Sequence, residues 1–336
     1  MSPSPEEEME EPPAVATTSG GANYSDQVMS EVHLGCPPGD FGPHLSHFTF
    51  FIPPHHEDEA SLGCNAVMED DDGDLIVSRR SRVSGEFRGV IIQHSIMSSI
   101  PKVGLQIWRA ELVLADFVLH KMFSSSEFDD IIAIELGSGT GLVGILLARA
   151  AKLVFTTDHG DDILANCAKN VQLNMDSVGK HSSVHVRELD WQKSWPPADK
   201  KCDNRLRYSW TSSEIEDVHR ASVLLAADVI YSDDLTDAFF NTVEKLMSQG
   251  SQKVLYLALE KRYNFTLDDL DIVANGYSHF RGYLRDDESE AAEDSASSPR
   301  FVGRRLDLAS IPQYVLEYDR ETEVELWEIK YVKRAE

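Results

Sequence analysis

Three glycines at alternate positions, Gly137, Gly139 and Gly141, follow a mostly apolar run over residues 131–136. A second apolar run over 142–151 comes next, so the pattern predicts a buried strand, a tight turn and a helix. Glycine tolerates positive φ and lets a ligand lie against bare backbone. The amides that open the helix have no intrahelical partners and favour an anionic or strongly polar group. The sequence therefore predicts a ligand site at this turn.

Two classes of ligand bind at such a turn, the dinucleotides and S-adenosylmethionine. The dinucleotide fingerprint is Gly-x-Gly-x-x-Gly, but Leu142 stands where its third glycine would be. Pyrophosphate binding is therefore disfavoured. A glycine-rich turn with a purely structural role is the alternative interpretation.

Three aspartates follow predicted strands. Asp158 lies 21 residues after Gly137, close to the spacing of about 20 that places a carboxylate on ribose hydroxyls in βαβ nucleotide sites. Asp190 precedes Trp191, and a carboxylate beside an aromatic ring suits adenine. A helix cap is the alternative for Asp158, and a turn aspartate is the alternative for Asp228. Because open α/β sheets bind ligands at the carboxyl ends of their strands, we expect the three aspartates to border one opening.

The chain divides into an extension and a folded domain. Residues 1–80 are rich in Pro, Ser, Gly and acidic residues, so we expect a largely disordered acidic extension. Within it, residues 48–52 predict a short strand or a partner-binding motif. The domain then covers 81–336, with flexible insertions predicted at 192–218 and 285–298.

Strand and helix patterns alternate through this domain. Residues 87–94 predict a strand of an accessory hairpin, and apolar residues at helical spacing predict a helix from Trp108 to Leu119. Five strand patterns alternate with helices, and residues 313–318 and 324–332 then alternate like an antiparallel hairpin. The expected fold is α/β, with a seven-stranded, largely parallel sheet, one antiparallel strand and helices on both faces.

Composition limits the function classes. The 336 residues carry a net charge of −26, and residues 1–78 contain no Lys or Arg. Direct binding of nucleic acid is disfavoured because phosphate contacts need basic residues, whereas a basic protein substrate suits this charge. The four cysteines are scattered and form no C-x-x-C pair, so we expect reduced thiols and no metal site. No signal peptide or membrane-spanning run is expected.

Two motifs resemble known families. The stretch Glu135-Leu136-Gly137-Ser138-Gly139-Thr140-Gly141 is similar to the first motif of class I S-adenosylmethionine-dependent methyltransferases. Asp228-Val229-Ile230-Tyr231 resembles the D-x-x-Y motif of the methyltransferase-like family 16 protein lysine methyltransferases. Amino-methyltransferases of nucleic-acid bases instead carry an (Asp/Asn/Ser)-Pro-Pro-(Tyr/Phe) motif there. The resemblance spans most of residues 85–335.

The resemblance implies a class I (seven-stranded, Rossmann-like) methyltransferase with S-adenosyl-L-methionine as cofactor. It implies that Asp228 captures and orients a lysine ε-amine while Tyr231 shapes the channel. The residues expected to contact the cofactor are Trp108, Glu135, Gly137, Ser138, Gly139, Asp158, Asp190, Trp191 and Ala227.

The predicted function is protein-lysine N-methylation of a non-histone, nuclear, nucleic-acid-associated protein. The resemblance also implies molecular chaperones as partners and a nuclear location, with the cytoplasm as an additional candidate location. We also expect a monomer. The alternative functions are a cofactor-binding interaction module without catalysis, and a methyltransferase of RNA or small molecules.

Overall fold

The computed structural model describes residues 27–33, 42–53, 86–179, 181–197, 207–262, 264–266, 271–273, 275–286, 300–320 and 323–333. Most of the predicted acidic extension lies outside these residues. So does most of the insertion predicted at 285–298.

Strands and helices alternate through the described chain. The strands are β1 (Gln27–Met29), β2 (His44–Ile52), β3 (Glu86–His94), β4 (Met97–Ser99), β5 (Ile132–Leu136), β6 (Leu153–Asp158), β7 (Ser183–Glu188), β8 (Val223–Ala227), β9 (Val254–Glu260), β10 (Asn264–Thr266), β11 (Asp271–Val273), β12 (Leu284–Asp286), β13 (Phe301–Leu306) and β14 (Val324–Tyr331). The α-helices are α1 (Arg109–Ser124), α2 (Leu142–Leu147), α3 (Asp161–Leu173), α4 (Ser212–Arg220), α5 (Asp233–Ser248) and α6 (Asn275–Gly282).

The main sheet has the order β12-β13-β14-β9-β8-β5-β6-β7. Strand β14 is antiparallel to both of its neighbours, and the other pairs are parallel. The predicted plan of a parallel sheet with one antiparallel strand is confirmed, although three-residue β12 adds an eighth strand at the edge. Chain order reverses between β5 and β8, and ligands bind at such a switch point.

Helices cover both faces of this sheet, so its strands are buried on both sides. Ala133 and Val154 contact the core formed with α1, α2 and α3, whereas the next residues, Ile134 and Phe155, contact the core formed with α4, α5 and α6. Such burial explains why these strands read as continuous apolar runs rather than alternating ones. None of the described helices combines the length and apolar composition that a membrane crossing requires.

The terminal hairpin differs from the prediction. Strand β14 pairs with β13 at residues 301–306, not with 313–318. The 313–318 stretch lies instead against α1, because the buried carboxylate of Asp116 accepts the backbone N–H groups of Tyr314 and Val315 at 2.7 and 2.8 Å. Its alternating pattern reflects this contact with the core rather than a strand of the sheet.

Two described segments that precede the predicted domain boundary at residue 80 form strands of the fold. Strand β2, from the predicted extension, pairs antiparallel with β3 along nine residues. Phe48 and Phe50 of β2 belong to the core on the α1 face of the sheet. Residues 48–52 are therefore part of a strand, and β3 pairs across a long sequence separation instead of forming a local hairpin.

Two asparagine side chains, of Asn170 in α3 and of its C-cap residue Asn174, satisfy the free edge of β3. Asn170 accepts from the N–H of Gln93 at 2.7 Å and donates to the carbonyl oxygen of Gln93 at 2.9 Å. Asn174 makes the same pair of contacts with Ile91, at 2.9 and 2.7 Å. The four-residue spacing puts both amides on one helix face, where they replace the missing neighbour strand.

The second half of the insertion predicted to be flexible at 192–218 instead leads into helix α4. Helix α4 begins after Thr211, whose hydroxyl accepts from the N–H of Glu214 while the Glu214 carboxylate accepts from the N–H of Thr211. This capping box satisfies two helix-end donors. The Glu214 carboxylate also pairs with Arg187 of β7, which attaches the helix to the sheet.

The described amino-terminal segment, residues 27–33, is named here the amino-terminal strap. Its strand β1 pairs with β4. The Gln106 side chain accepts from the N–H of Ser30 at 2.8 Å and donates to the carbonyl oxygen of Val28 at 3.0 Å. Glu31 Oε1 accepts from the N–H of Arg109 at 2.7 Å. Because Trp108 cannot cap α1 with its own side chain, Glu31 satisfies that helix end.

Candidate active site

A cavity of about 350 Å³ lies at the carboxyl ends of the central strands, within the size range of small-molecule sites. All eleven residues predicted from the sequence line it. They are Trp108, Glu135, Gly137, Ser138, Gly139, Asp158, Asp190, Trp191, Ala227, Asp228 and Tyr231. The three aspartates therefore border one opening, as their places after β6, β7 and β8 require.

The glycine turn forms one wall of the cavity. Gly137 and Gly139 have φ of +66° and +50°, in the left-handed region that favours glycine. A Cβ on Gly137 would lie 2.8 Å from Val229 Cγ1, and one on Gly139 would lie 3.0 Å from the carbonyl oxygen of Gly104. Both the backbone conformation and the close packing therefore require glycine at these positions.

Asp158 ties the end of β6 to this turn. Its Oδ2 accepts from the N–H of Gly139 at 2.7 Å, and its Oδ1 accepts from the N–H of His159 at 2.7 Å. Burial raises the pKa of the Asp158 carboxyl, against these two hydrogen bonds. Gly160 is the N-cap residue of α3 and no side chain caps that helix, so the alternative role of Asp158 as its cap does not hold.

Asp190 and Trp191 lie at the end of the cavity beyond β7. Asp190 Oδ2 lies 3.1 Å from Lys193 Nζ. Burial acts to raise the pKa of Asp190, but the hydrogen bond from Lys193 outweighs it and holds that pKa below its usual range. The Trp191 ring packs edge-on against Phe239 at 5.1 Å. Its Nε1–H is buried and has no acceptor among the described residues, which leaves a donor available to a ligand.

At the opposite end, Asp228 pairs with a cation that the sequence analysis missed. Its side chain is only 6% exposed and contacts the Arg262 guanidinium. Arg262 also lies 3.8 Å from Glu31 of the amino-terminal strap and 4.7 Å from the ring centre of Trp108. Burial raises the pKa of Asp228, and the positive charge of Arg262 opposes this.

Other charged groups extend this cluster. Arg109 Nη1 lies 2.7 Å from Glu260 Oε1. Burial, followed by repulsion from Glu31, raises the pKa of Glu260 to about 7. Arg262 follows the end of β9, so a search of strand ends would have found it. Nothing in the sequence near Glu31 marks it as a neighbour of this site.

The cavity lining is acidic. It contains the carboxyl groups of Glu111, Glu135, Asp158, Asp190 and Asp228, and no Lys or Arg is among its described residues. Such a lining favours a cationic ligand and disfavours pyrophosphate. Among the described residues, no group of three or more His, Cys, Asp or Glu side chains is placed to hold a metal ion.

The profile of a protein family described as lysine methyltransferase matches residues 89–271, more than half of the chain. The chain belongs to the lysine methyltransferase family. This confirms the predicted enzyme class and, with it, S-adenosylmethionine as the cofactor.

Individual relatives support the same assignment. Methyltransferase-like protein 22 of Mus musculus is 34% identical, over 94% of this chain and 84% of that protein. Methyltransferase-like protein 22 of Homo sapiens is 39% identical, over 71% of this chain and 56% of that protein. Protein N-lysine methyltransferase METTL21A of Xenopus tropicalis is 30% identical, over 51% of this chain and 67% of that protein. The resemblance to the methyltransferase-like family 16 protein lysine methyltransferases is confirmed, and it extends to methyltransferase-like protein 22.

The residues of the cavity fit S-adenosylmethionine. The cofactor carries a sulfonium and an α-ammonium group, and the acidic lining complements both. The glycine turn leaves bare backbone beside the cavity, and the unpaired Trp191 Nε1–H offers a donor to a heteroaromatic ring. The amino-terminal strap lies outside the region that the family profile matches.

Proposed function

We propose that this lysine methyltransferase methylates the ε-amine of a lysine in a basic, non-histone protein associated with nucleic acid. The lysine enters beside Asp228, Tyr231 and Trp108. The observation that carries the proposal is that this position already holds a cationic side chain. The Arg262 guanidinium lies between the Asp228 carboxylate and the Trp108 ring, and a lysine ammonium makes the same two kinds of contact.

Residues at the other end of the cavity hold the adenosine portion of the cofactor. Asp158 accepts hydrogen bonds from the two ribose hydroxyls, since an ionised carboxylate has two acceptor oxygens. Asp190 accepts from the adenine amino group, and the Trp191 ring packs on adenine. Bound S-adenosylmethionine supplies an electrophilic methyl group, which must then face Asp228.

The amine must lose its proton before it attacks. An amine of pKa ~10.4 is neutral in only about one molecule in two thousand at pH 7. Contact with the Trp108 ring and the half-exposed Tyr231 ring partly desolvates the amine and favours its neutral form. Asp228 alone would favour the ammonium form, but Arg262 compensates its charge. Asp228 can therefore orient the amine without holding it protonated, and proton loss goes to water.

Labelled-methyl transfer tests the proposal. The purified chain and labelled S-adenosylmethionine are incubated with nuclear extract, which is then divided between protease and nuclease. We expect the label in the protease-sensitive, nuclease-resistant fraction, as methyl-lysine by mass spectrometry. Asp228→Ala should lower transfer about 100-fold, because the amine is no longer oriented, while calorimetry shows nearly unchanged cofactor binding.

Two variants serve as controls. Asp158→Ala should weaken cofactor binding about 10- to 100-fold by removing charged hydrogen bonds. Asp233→Ala, at an exposed position on α5, should change neither transfer nor binding. Full transfer by Asp228→Ala, or label in the nuclease-sensitive fraction, contradicts the proposal.

Charge supports the choice of a basic substrate. The chain carries a net charge of −26, which attracts a basic protein and repels free nucleic acid. The nuclear location, the chaperone partners and the monomeric state stay predictions from the resemblance.

A further inference from the structure

Two carboxyl groups face the cavity from positions away from the adenosine end. Glu111 lies on α1 and Glu135 on β5, and their residues are 6% and 3% exposed. Both line the cavity. The sequence analysis nominated Glu135 but gave no role to Glu111, which comes from a helix rather than from a strand end.

Neutral groups hold both carboxyls in place. Thr140 Oγ1 donates to Glu111 Oε1 at 2.6 Å, and the N–H of Gly144 donates to Glu135 Oε2 at 3.1 Å. Among the described residues, neither carboxyl has a Lys or Arg partner, and the charges acting on Glu111 and Glu135 come from other carboxylates. The two carboxyl groups are thus buried without a compensating cation, and ionising them in this state costs free energy.

Protonation relieves this cost while the cavity holds no cation. Burial raises the pKa of Glu111 to about 7, and Asp228 adds to the effect. Burial and repulsion from Glu111 raise the pKa of Glu135 well above its usual range. Glu111 is therefore about half protonated at pH 7 and is ready to lose that proton to a neighbouring positive charge.

We propose that Glu111, with Glu135 beside it, forms a subsite for the positively charged methionine portion of S-adenosylmethionine, and that filling this subsite expels a proton. Asp158 and Asp190 take the adenosine portion, which bears no positive charge. The sulfonium and α-ammonium groups must then lie toward Glu111 and Glu135, while Asp228 is already paired with Arg262. This inference rests on the proposed placement of the cofactor but is independent of the lysine acceptor.

Calorimetry of cofactor binding to the full chain tests the inference. Titrations at pH 7 in buffers of different ionisation enthalpy give the number of protons released. We expect proton release with S-adenosylmethionine, and affinity that rises at least about tenfold from pH 6 to pH 8, because the cation binds the ionised form. Glu111→Gln should remove the share of Glu111, about half a proton, and weaken this pH dependence, and the release that remains comes from Glu135.

The controls separate Glu111 from other groups. Gln keeps an acceptor for Thr140, so Glu111→Gln should retain its unfolding midpoint, and the exposed Glu216→Gln should release protons like the unaltered chain. Methylthioadenosine, which has the adenosine portion but neither positive charge, should bind without proton release. This ligand tests the unaltered chain even if Glu111→Gln fails to fold.

Three results would overturn the inference: no release from the unaltered chain, equal release from Glu111→Gln, or equal release with methylthioadenosine. None of them bears on whether the acceptor is a lysine. Conversely, proton-linked binding without methyl transfer to protein would remove the proposed acceptor and leave the Glu111 subsite standing.

Discussion

At the scale of single residues, Asp228 combines an unusual backbone with a charged partner. Its φ is +53°, a left-handed conformation that aspartate tolerates better than most residues. Its N–H donates to the carbonyl oxygen of Ala258 at 2.9 Å. The neighbouring strand thus fixes the backbone, and the carboxylate turns from the end of β8 toward Arg262.

Arg262 should control the pH at which methyl transfer begins. Arg262→Gln leaves Asp228 uncompensated, so the carboxylate stabilises the protonated lysine and raises its pKa. We expect the rising limb of the pH–rate profile to move about one pH unit to higher pH. Labelled-methyl transfer measured between pH 6 and pH 10 would show the shift.

Arg262→Lys is the matched variant, because it keeps the positive charge beside Asp228. It should leave the rising limb of the pH–rate profile within a few tenths of a pH unit of that of the unaltered chain. If Arg262→Gln lowers the rate equally at every pH, Arg262 has only a structural role. Cofactor affinity should be similar in all three proteins.

The three cavity aspartates found from the sequence share one property. Asp158, Asp190 and Asp228 each follow a strand, and parallel strands bring their carboxyl ends to one edge. Arg262 follows β9 and was accessible to the same reasoning. Glu31 and Glu111 could not be found in this way. Glu31 comes from a segment distant in sequence and Glu111 from a helix face, and neither position has a local sequence pattern that marks it.

At the scale of elements, the asparagine face of α3 takes the place of a strand beside β3. Asn170→Leu removes the acceptor of the Gln93 N–H, whereas the Gln93 carbonyl oxygen keeps the side-chain amide of Asn166 as a donor at 3.0 Å. We expect a loss of about 2 kcal/mol in the free energy of unfolding. Urea denaturation measures the loss, and faster hydrogen exchange of the Gln93 amide would locate it.

Leu173→Ala on the same helix serves as its control. Leu173 is 40% exposed, so this change should cost much less than 1 kcal/mol. Equal losses for the two variants would show that the effect is one of helix stability rather than of strand satisfaction.

The elements were predicted best where strands end in glycine or aspartate and helices follow. Strand β5 lies within the apolar run at 131–136, and β6 and β8 end at or directly before Asp158 and Asp228, which were predicted to follow strands. Strand β13 was missed because its Arg304 and Arg305 interrupt the apolar pattern, and both pair with acidic residues of β14. These pairings are non-local and cannot be read from a short window of sequence.

At the scale of the whole molecule, three histidines join three separate segments. His33 of the amino-terminal strap stacks on His94 of β3 at 4.9 Å, and His44 of β2 lies 6.1 Å from the same ring. Burial lowers the pKa of His94 to about 4, and burial also lowers that of His33, with His44 adding to it and Glu31 opposing it. The folded state therefore favours the neutral rings of His33 and His94.

Stability should fall as the solution is acidified. The unfolded chain binds these protons near pH 6.5, whereas folded His94 does not until about pH 4. The stabilisation is thus fully present above pH 6.5 and is lost between pH 6.5 and 4, by about 3 kcal/mol for His94 alone. Urea unfolding at pH 7.5, 6 and 5 measures the change.

His94→Gln keeps a hydrogen-bonding side chain near Ser46 but cannot take up a proton. We expect its free energy of unfolding to vary less with pH than that of the unaltered chain over the same range. Parallel curves for the two proteins would show that other groups cause the acid sensitivity.

The pairing of β2 with β3 has a consequence for how the enzyme could be assembled. Nine residue pairs join these strands, and the described contacts between them need no peptide link from residue 53 to residue 86. A piece ending at 53 contributes Phe48 and Phe50 to a core whose other buried residues come from the piece starting at 86. The residues up to 53 therefore contact the rest of the enzyme as a separate subunit would, and they place Glu31 3.8 Å from Arg262.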